Sequence, residues 1–268
     1  MTTARPAAVA GTFYPARPEV LARDVSAMLE DAVRRTPALT PKVLIAPHAG
    51  YVYSGPVAAS AYALLRPVAN KIRRVVLLGP CHRVAVRGLA LPDADAFDTP
   101  LGRVRIDRDA VQQIAALPQV IVSPQAHAME HALEVHLPFL QSVLPDFALL
   151  PLAVGMATAE QVAEVLETLW GGEDTLIVIS SDLSHYLPYP LAQQVDRETA
   201  QSILQLAGPL SHEQACGGTP INGLLLSARR HGLTPHLLDL RNSGDTAGSR
   251  DRVVGYAAFA FTEGAGHA

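Results

Sequence analysis

Cysteine is scarce in this chain: Cys81 and Cys216 are the two thiols among 268 residues. Two cannot build a disulfide framework, so the chain reads as one kept reduced, with the cytoplasm as its expected location. Charge is sparse as well: Asp, Glu, Lys and Arg make up 17%, and the net charge is −4. No Lys/Arg cluster stands out, which leaves no electrostatic footprint for nucleic acid or an anionic membrane. Long apolar runs are missing too. Runs such as Phe147 to Ala153, itself broken by Pro151, fall far short of the ~20 residues of a membrane helix. Residues 1–15 hold no extended apolar stretch of the kind a secretory signal needs. The sequence has neither a G-x-x-x-x-G-K-[ST] loop nor a G-x-G-x-x-G, so the usual backbone cradle for nucleotide phosphates is lacking. A G-x-S-x-G nucleophile elbow is lacking as well.

What is present is apolar and periodic. Hydrophobic residues make up 49%, enough at this length for a sizeable core. Short β-branched runs at Val43–Ala46, Val75–Leu78, Phe147–Val154, Leu176–Ser180, Pro235–Leu240 and Val253–Phe261 read as strands covered on both faces. Between them, Glu19–Arg35, Pro56–Arg66, Arg108–Ala116, Ala159–Trp170, Leu191–Leu206 and Pro220–His231 read as helices. Ser54-Gly55-Pro56 offers a cap with proline in the first turn, and Thr158 a cap before Glu160. Residues 89–107 read as an inserted hairpin, 241–252 as a mobile loop and 262–268 as a disordered tail. The alternation predicts an α/β single domain over 1–268, with a largely parallel or mixed central sheet flanked by helices.

Such sheets place ligands beyond the carboxyl ends of their strands. Three predicted strands run there into chemically capable residues: Pro47-His48-Ala49-Gly50-Tyr51, Gly79-Pro80-Cys81-His82, and Ser181-Asp182-Leu183-Ser184-His185. Two neutral imidazoles and one anion form a half-open metal site, with positions left for water, dioxygen or substrate. His48 and His82 supply the imidazoles, and Asp182 or Cys216 the anion. Cys216 precedes the helix opened by Gly217-Gly218-Thr219-Pro220, where exposed N–H groups favour thiolate. Cys81 reads as structural. A Cys216–His185–Asp182 thiol triad has the right residue types but leaves His48 and His82 without roles.

His127-Ala128-Met129-Glu130-His131 matches the H-x-x-E-H of inverted zinc peptidases, with Glu130 in the place of the base. Pro124 and Pro138 leave little room for the long helix such a site occupies. The better reading is a loop entering a helix over Glu130–Leu144, with Leu133, Leu137, Leu140 and Val143 or Leu144 as its buried stripe. Some of Glu130, His131, Glu134 and His136 then reach the pocket, because polar groups this dense need partners.

Ala8-Val9-Ala10-Gly11-Thr12-Phe13-Tyr14-Pro15, Ala46 to Gly55, Gly79-Pro80-Cys81-His82, Glu130 to Phe139, Ser180 to Tyr186 and Ala215-Cys216-Gly217 together resemble the Memo family, whose bacterial and archaeal members are called AmmeMemoRadiSam system protein B. The resemblance implies a fold like that of the class III extradiol ring-cleavage dioxygenases, which hold non-heme iron on two histidines and a glutamate. Carried over, His48 and His82 match the histidine ligands, and Cys216 stands where Memo proteins carry cysteine. Asp182 and His185 line the same pocket, His185 at the position of an acid–base histidine. Tyr51, Glu130 and His131 are expected around the substrate.

A thiolate is softer than a carboxylate and favours iron, zinc or copper; the resemblance to non-heme iron enzymes implies iron first, with zinc or copper as alternatives. Three functions follow. The first is a dioxygenase-like oxidoreductase on an unknown small-molecule or peptide ligand, with His185, oriented by Asp182, moving a proton. The second is a non-catalytic metal-binding or scaffold protein with radical-SAM and Ammecr-type partners, as the family name implies. The third is a zinc or thiol hydrolase.

Overall fold

The computed structural model describes residues 3–264. Its strands are β1 (Ala4–Arg5), β2 (Val43–Ala46), β3 (Arg74–Pro80), β4 (Leu89–Leu91), β5 (Ala96–Thr99), β6 (Gly102–Arg105), β7 (Val120–Val122), β8 (Ala148–Val154), β9 (Thr175–Ser180), β10 (His185–Leu187), β11 (Thr234–Asn242) and β12 (Val253–Thr262). The helices are α1 (Pro18–Val33), α2 (Tyr51–Tyr62), α3 (Arg108–Ile114), α4 (Pro124–Ala128), α5 (Leu137–Val143), α6 (Ala159–Thr168), α7 (Tyr189–Leu204), α8 (Gly218–Arg230) and α9 (Ser243–Thr246).

Nine strands form one mixed sheet in the order β10-β12-β2-β9-β3-β8-β4-β7, with β11 also paired to β12. The centre, β2-β9-β3-β8, is parallel, and β12 joins it antiparallel along β2. Alternate residues of the central strands divide between two cores. Leu44, Ala46, Leu77 and Val178 face α1, α2 and α5, while Val43, Ile45, Leu78 and Ile179 face α6, α7 and α8. Burial on both faces is why these strands read as unbroken apolar runs. The result is a single-domain α/β fold with helices on both sides of a mixed sheet.

Several boundaries differ from the sequence reading. Helix α2 starts at Tyr51 rather than at Pro56, which lies inside it. Its first turn is set by the Tyr51 N–H, donated to the Phe13 carbonyl at 2.8 Å, and its residues are buried almost all round, so no amphipathic signal marks its start. The hairpin is confined to β5–β6, which with β1 makes a separate small sheet, whereas Leu89–Leu91 joins the main sheet beside β8 and β7. The helix expected over Glu130–Leu144 is a short 3₁₀ turn, Glu134–His136, followed by α5, with Pro138 in the first turn. The segment 241–252 contains the end of β11 and α9, whose cap Asn242 accepts the Gly244 N–H at 2.9 Å. Thr262 pairs with Thr234 as the last residue of β12, so the strand runs one residue into the expected tail, of which 265–268 lie outside the described residues. The Thr158 cap is present as a capping box with Gln161.

Candidate metal centre

Strands β2, β9 and β3 lie side by side with Ala46 level with Ser180 and Leu78 level with Ile179, so their carboxyl ends form one rim. His48 follows β2, His82 follows β3, and Asp182 follows β9. The loop after α4 brings His131 to the same point. Nitrogens of His48, His82 and His131 all lie within 4.8 Å of one another. The His48 ring lies 5.2 Å from that of His82 and 5.5 Å from that of His131, and the latter two stack at 4.7 Å.

Hydrogen bonds behind the rings fix which nitrogen faces this point. The Ser180 hydroxyl donates to the Ala132 carbonyl at 2.6 Å, so it can only accept from its other neighbours. It therefore accepts from His48 Nδ1 at 2.6 Å and from His136 Nε2 at 2.7 Å, and the His48 Nε2 lone pair is left pointing forward. His136 Nδ1 in turn accepts from the Tyr62 hydroxyl at 2.8 Å, which closes the relay in the core. His82 Nδ1 donates to Glu130 Oε1 at 2.9 Å, again leaving Nε2 forward, and the His82 backbone N–H donates to Glu130 Oε2 at 2.6 Å. Carboxylate or hydroxyl partners of this kind are what orient histidines around metals. Burial lifts the Glu130 carboxyl, but the His82 ring and the Ala132 and His82 N–H groups outweigh it and hold it below its usual range.

The loop carrying Glu130 and His131 is held by the N-terminal segment. Arg5, buried and stacked over Phe97, donates to the carbonyls of His127 at 2.6 Å and Glu130 at 2.7 Å and pairs with Glu134 at 2.5 Å. Glu134 also accepts from the Ala8 and Val9 N–H groups and from the Tyr14 hydroxyl. Of the four polar residues expected at the pocket, His131 reaches it, Glu130 and His136 act from behind through His82 and Ser180, and Glu134 faces away. His127 lies outside the cluster, with Nε2 bonded to the Ala90 carbonyl at 2.8 Å, so the H-x-x-E-H pattern builds no site of its own.

The Cys216 thiol lies 3.4 Å from His48 Nε2 and accepts the Asp182 N–H at 3.3 Å. Its loop presses against β9: a side chain at Gly217 would sit 2.5 Å from the Ser180 carbonyl, so only glycine allows this approach. Burial, with the nearby Asp182 carboxyl, pushes the free thiol up to about 12. Burial likewise raises Asp182 to about 7, against the pull of the His48 N–H, which Asp182 Oδ1 accepts at 2.7 Å. His48 is held well below the usual imidazole range by burial and by the neighbouring histidines, and burial lowers His131 to about 4. His48 and His131 are thus held neutral, as metal ligation requires.

His185 is oriented not by Asp182 but by the Leu183 carbonyl, which accepts from its Nδ1 at 2.8 Å. Nor is a Cys216–His185–Asp182 triad joined by hydrogen bonds among the described residues, because the imidazole that meets the thiol is that of His48. The expected pocket residue Tyr51 donates to the Val135 carbonyl at 2.6 Å and packs on Phe139 and Tyr14. Its other side faces a different cavity, next to Phe13 and Met28. Two cavities open on the cluster. One of about 690 Å³ reaches His82 and Cys216, and one of about 460 Å³ reaches His131, Asp182 and His185.

The description "Memo-like protein" fits residues 5–260, nearly the whole chain. The chain belongs to the Memo family. A MEMO1 family protein of Methanosarcina barkeri is 37% identical over 95% of this chain and 98% of its own length. One from Archaeoglobus fulgidus is 36% identical over 94% and 97%, and one from Aquifex aeolicus 35% identical over 96% and 98%. Among solved structures, an uncharacterized protein of Escherichia coli K12 matches with a TM-score of 0.51, covering 80% of this chain and 98% of that one. At 16% identity that likeness is one of fold. What this Memo chain adds to the sequence reading is His131 at the cluster itself and Ser180 behind it. The signal for His131 was its place directly after Glu130. Ser180 was expected to fix the turn and orient Asp182 and His185, whereas its hydroxyl engages His48, His136 and the Ala132 carbonyl.

Proposed function

We propose that the chain is a non-heme metal redox protein with dioxygenase-like oxidoreductase chemistry. The observation that carries the reading is the convergence of three imidazoles, two with their rear nitrogens tied, beside a thiol. Ring nitrogens converging this closely suit a shared cation, and His131 Nδ1 is buried with no hydrogen-bond partner, Glu130 Oε1 lying 3.3 Å away outside bonding geometry. The donor set fits a divalent transition metal: iron first, zinc or copper as alternatives. His48 and His82 would hold it, with Cys216 as third ligand and His131 beside it as competitor for that place. A bound iron or copper supplies electron transfer and Lewis acidity there.

The protein's own part is positioning and proton handling. Ser180 and Glu130 fix the ligand tautomers. His185, with Nδ1 tied to Leu183, presents Nε2 to the smaller cavity as a proton acceptor, a role typically worth ~10²–10⁴ in rate. Asp182, raised to about 7, holds a proton within reach at neutral pH. The ligand is a small molecule or peptide, and the setting is the cytoplasm, where both thiols stay free. His185→Ala should keep its metal and lose dioxygen uptake; uptake equal to wild type would defeat the assignment.

One observation favours a second reading, a metal-binding or scaffold protein without turnover that works with radical-SAM and Ammecr-type partners. Cys216, 3.4 Å from His48, would ligate a metal as the thiolate, an oxidisable ligand that suits metal holding better than repeated exposure to dioxygen. A saturable complex with such a partner, unaffected by His185→Ala, would support it.

A further inference from the structure

The two cavities on the histidine cluster differ sharply in chemistry. The larger, reaching His82 and Cys216, is walled by residues such as Val84, Val86, Met156 and Gln161, and none of its lining is Phe, Tyr, Trp or a charged side chain. The smaller brings together Phe13, Tyr53, Tyr186 and Tyr256, and Arg252 is the one Lys or Arg in its lining. Among the described residues Arg252 has no carboxylate within ion-pair distance, and the Tyr53 and Tyr186 hydroxyls have no protein hydrogen bond. The rings stand beside the candidate chemistry: Phe13 lies 4.6 Å from His131 and Tyr186 5.8 Å from His185.

Tyr186 is the sharper clue. Its φ is +59°, a backbone region that a bulky side chain seldom occupies, and it is 67% exposed. Burial therefore does not explain why a tyrosine is held there. Strain of this kind persists where the surrounding structure imposes it, and it concentrates at ligand sites.

We propose that the cavity on the His131 and His185 side binds a planar aromatic carboxylate. The ring lies against Tyr186, with Tyr53 and Phe13 beside it, the carboxylate meets Arg252, and the opposite edge of the ring faces the histidine cluster. Offset aromatic contact and a charge-assisted guanidinium bond supply the recognition. The orientation toward the cluster rests on the metal-centre reading; the binding site itself does not.

The test titrates benzoate into the metal-free full-length protein by calorimetry, with metal content measured separately, so that failure of this proposal and failure of the metal centre remain distinct. Saturable benzoate binding is expected, with benzamide and cyclohexanecarboxylate about tenfold weaker. Arg252→Gln should weaken benzoate about tenfold and leave benzamide unchanged. Tyr186→Gly should weaken both aromatic probes about tenfold while Tm holds or rises, because glycine accepts this φ without strain. Absence of saturable benzoate binding overturns the proposal. So does wild-type affinity in either variant, or a lowered Tm in Tyr186→Gly, which would make Tyr186 a packing residue.

Discussion

Ser180→Ala is the most informative single change behind the cluster. Ser180 is fully buried, donates one hydrogen bond and accepts two, and all three partners are protein groups. Removing its hydroxyl strands the His48 Nδ1–H, the His136 Nε2–H and the Ala132 carbonyl. Each buried group left unpaired costs roughly 1–3 kcal/mol. The histidines recover part of this by changing tautomer, so the expected loss of stability is about 3 kcal/mol, read by urea denaturation of the metal-free protein. The recovery has its own consequence: a His48 that moves its proton to Nε2 no longer offers a lone pair to a cation. Metal affinity should fall ~10–100-fold, as for other residues that orient ligands from behind. Tyr62→Phe leaves one acceptor unpaired farther along the relay and should cost about 1 kcal/mol with little effect on metal. If Ser180→Ala unfolds within about 0.5 kcal/mol of wild type and binds metal equally well, the tautomer argument is wrong.

Glu130→Gln should leave the fold intact and weaken metal binding ~10–100-fold, because it weakens the tie on His82 Nδ1; unchanged affinity in a metal titration would refute this. Arg5→Met leaves the Glu134 carboxylate buried and unpaired and should cost about 3–5 kcal/mol in denaturant unfolding. Arg5→Lys should rescue it poorly, since an ammonium cannot span two carbonyls and a carboxylate in one plane. In acid, His127 and His131 at about 4 and His136 at about 3 stay neutral in the folded state, while the unfolded chain takes up their protons below about 6.5. Their stabilising contribution is therefore complete above that pH and is lost as pH falls toward 4. Asp182 and Asp196, raised to about 7 and about 6, act in the opposite sense, favouring the fold below the usual carboxylate range and ceasing to do so as pH rises through those values. The three histidine shifts together exceed the two carboxyl shifts, and His48 adds to them, so metal-free stability should fall between pH 6.5 and 4, and a flat profile there would contradict their buried neutral state.

The sheet was legible because its central strands are apolar on both faces, and the strand-end rule then led to His48, His82 and the Asp182 turn. What escaped the sequence reading was set by packing that no local pattern encodes. Helix α2 is buried on nearly every side, so its start at Tyr51 carried no periodicity, and Ser54-Gly55-Pro56 looked like a cap. Strands β4, β7 and β10 have three residues each, too few for an alternation to show. His131 arrives on a loop that Arg5 holds from more than 120 positions away in the chain, and the Ser180 relay links residues 62, 136 and 48. Asp182 was expected to orient His185, but the backbone turn gives it the His48 N–H instead.

The direct test of the account is the metal content of anaerobically purified protein, measured by elemental mass spectrometry for wild type and for His48→Ala, His82→Ala, His131→Ala and Cys216→Ala. Near-stoichiometric transition metal, iron above all, should be present in wild type and lost in His48→Ala and His82→Ala, with the other two variants deciding between Cys216 and His131 as third ligand. No metal in any preparation, even after anaerobic incubation with ferrous iron, would contradict the central claim.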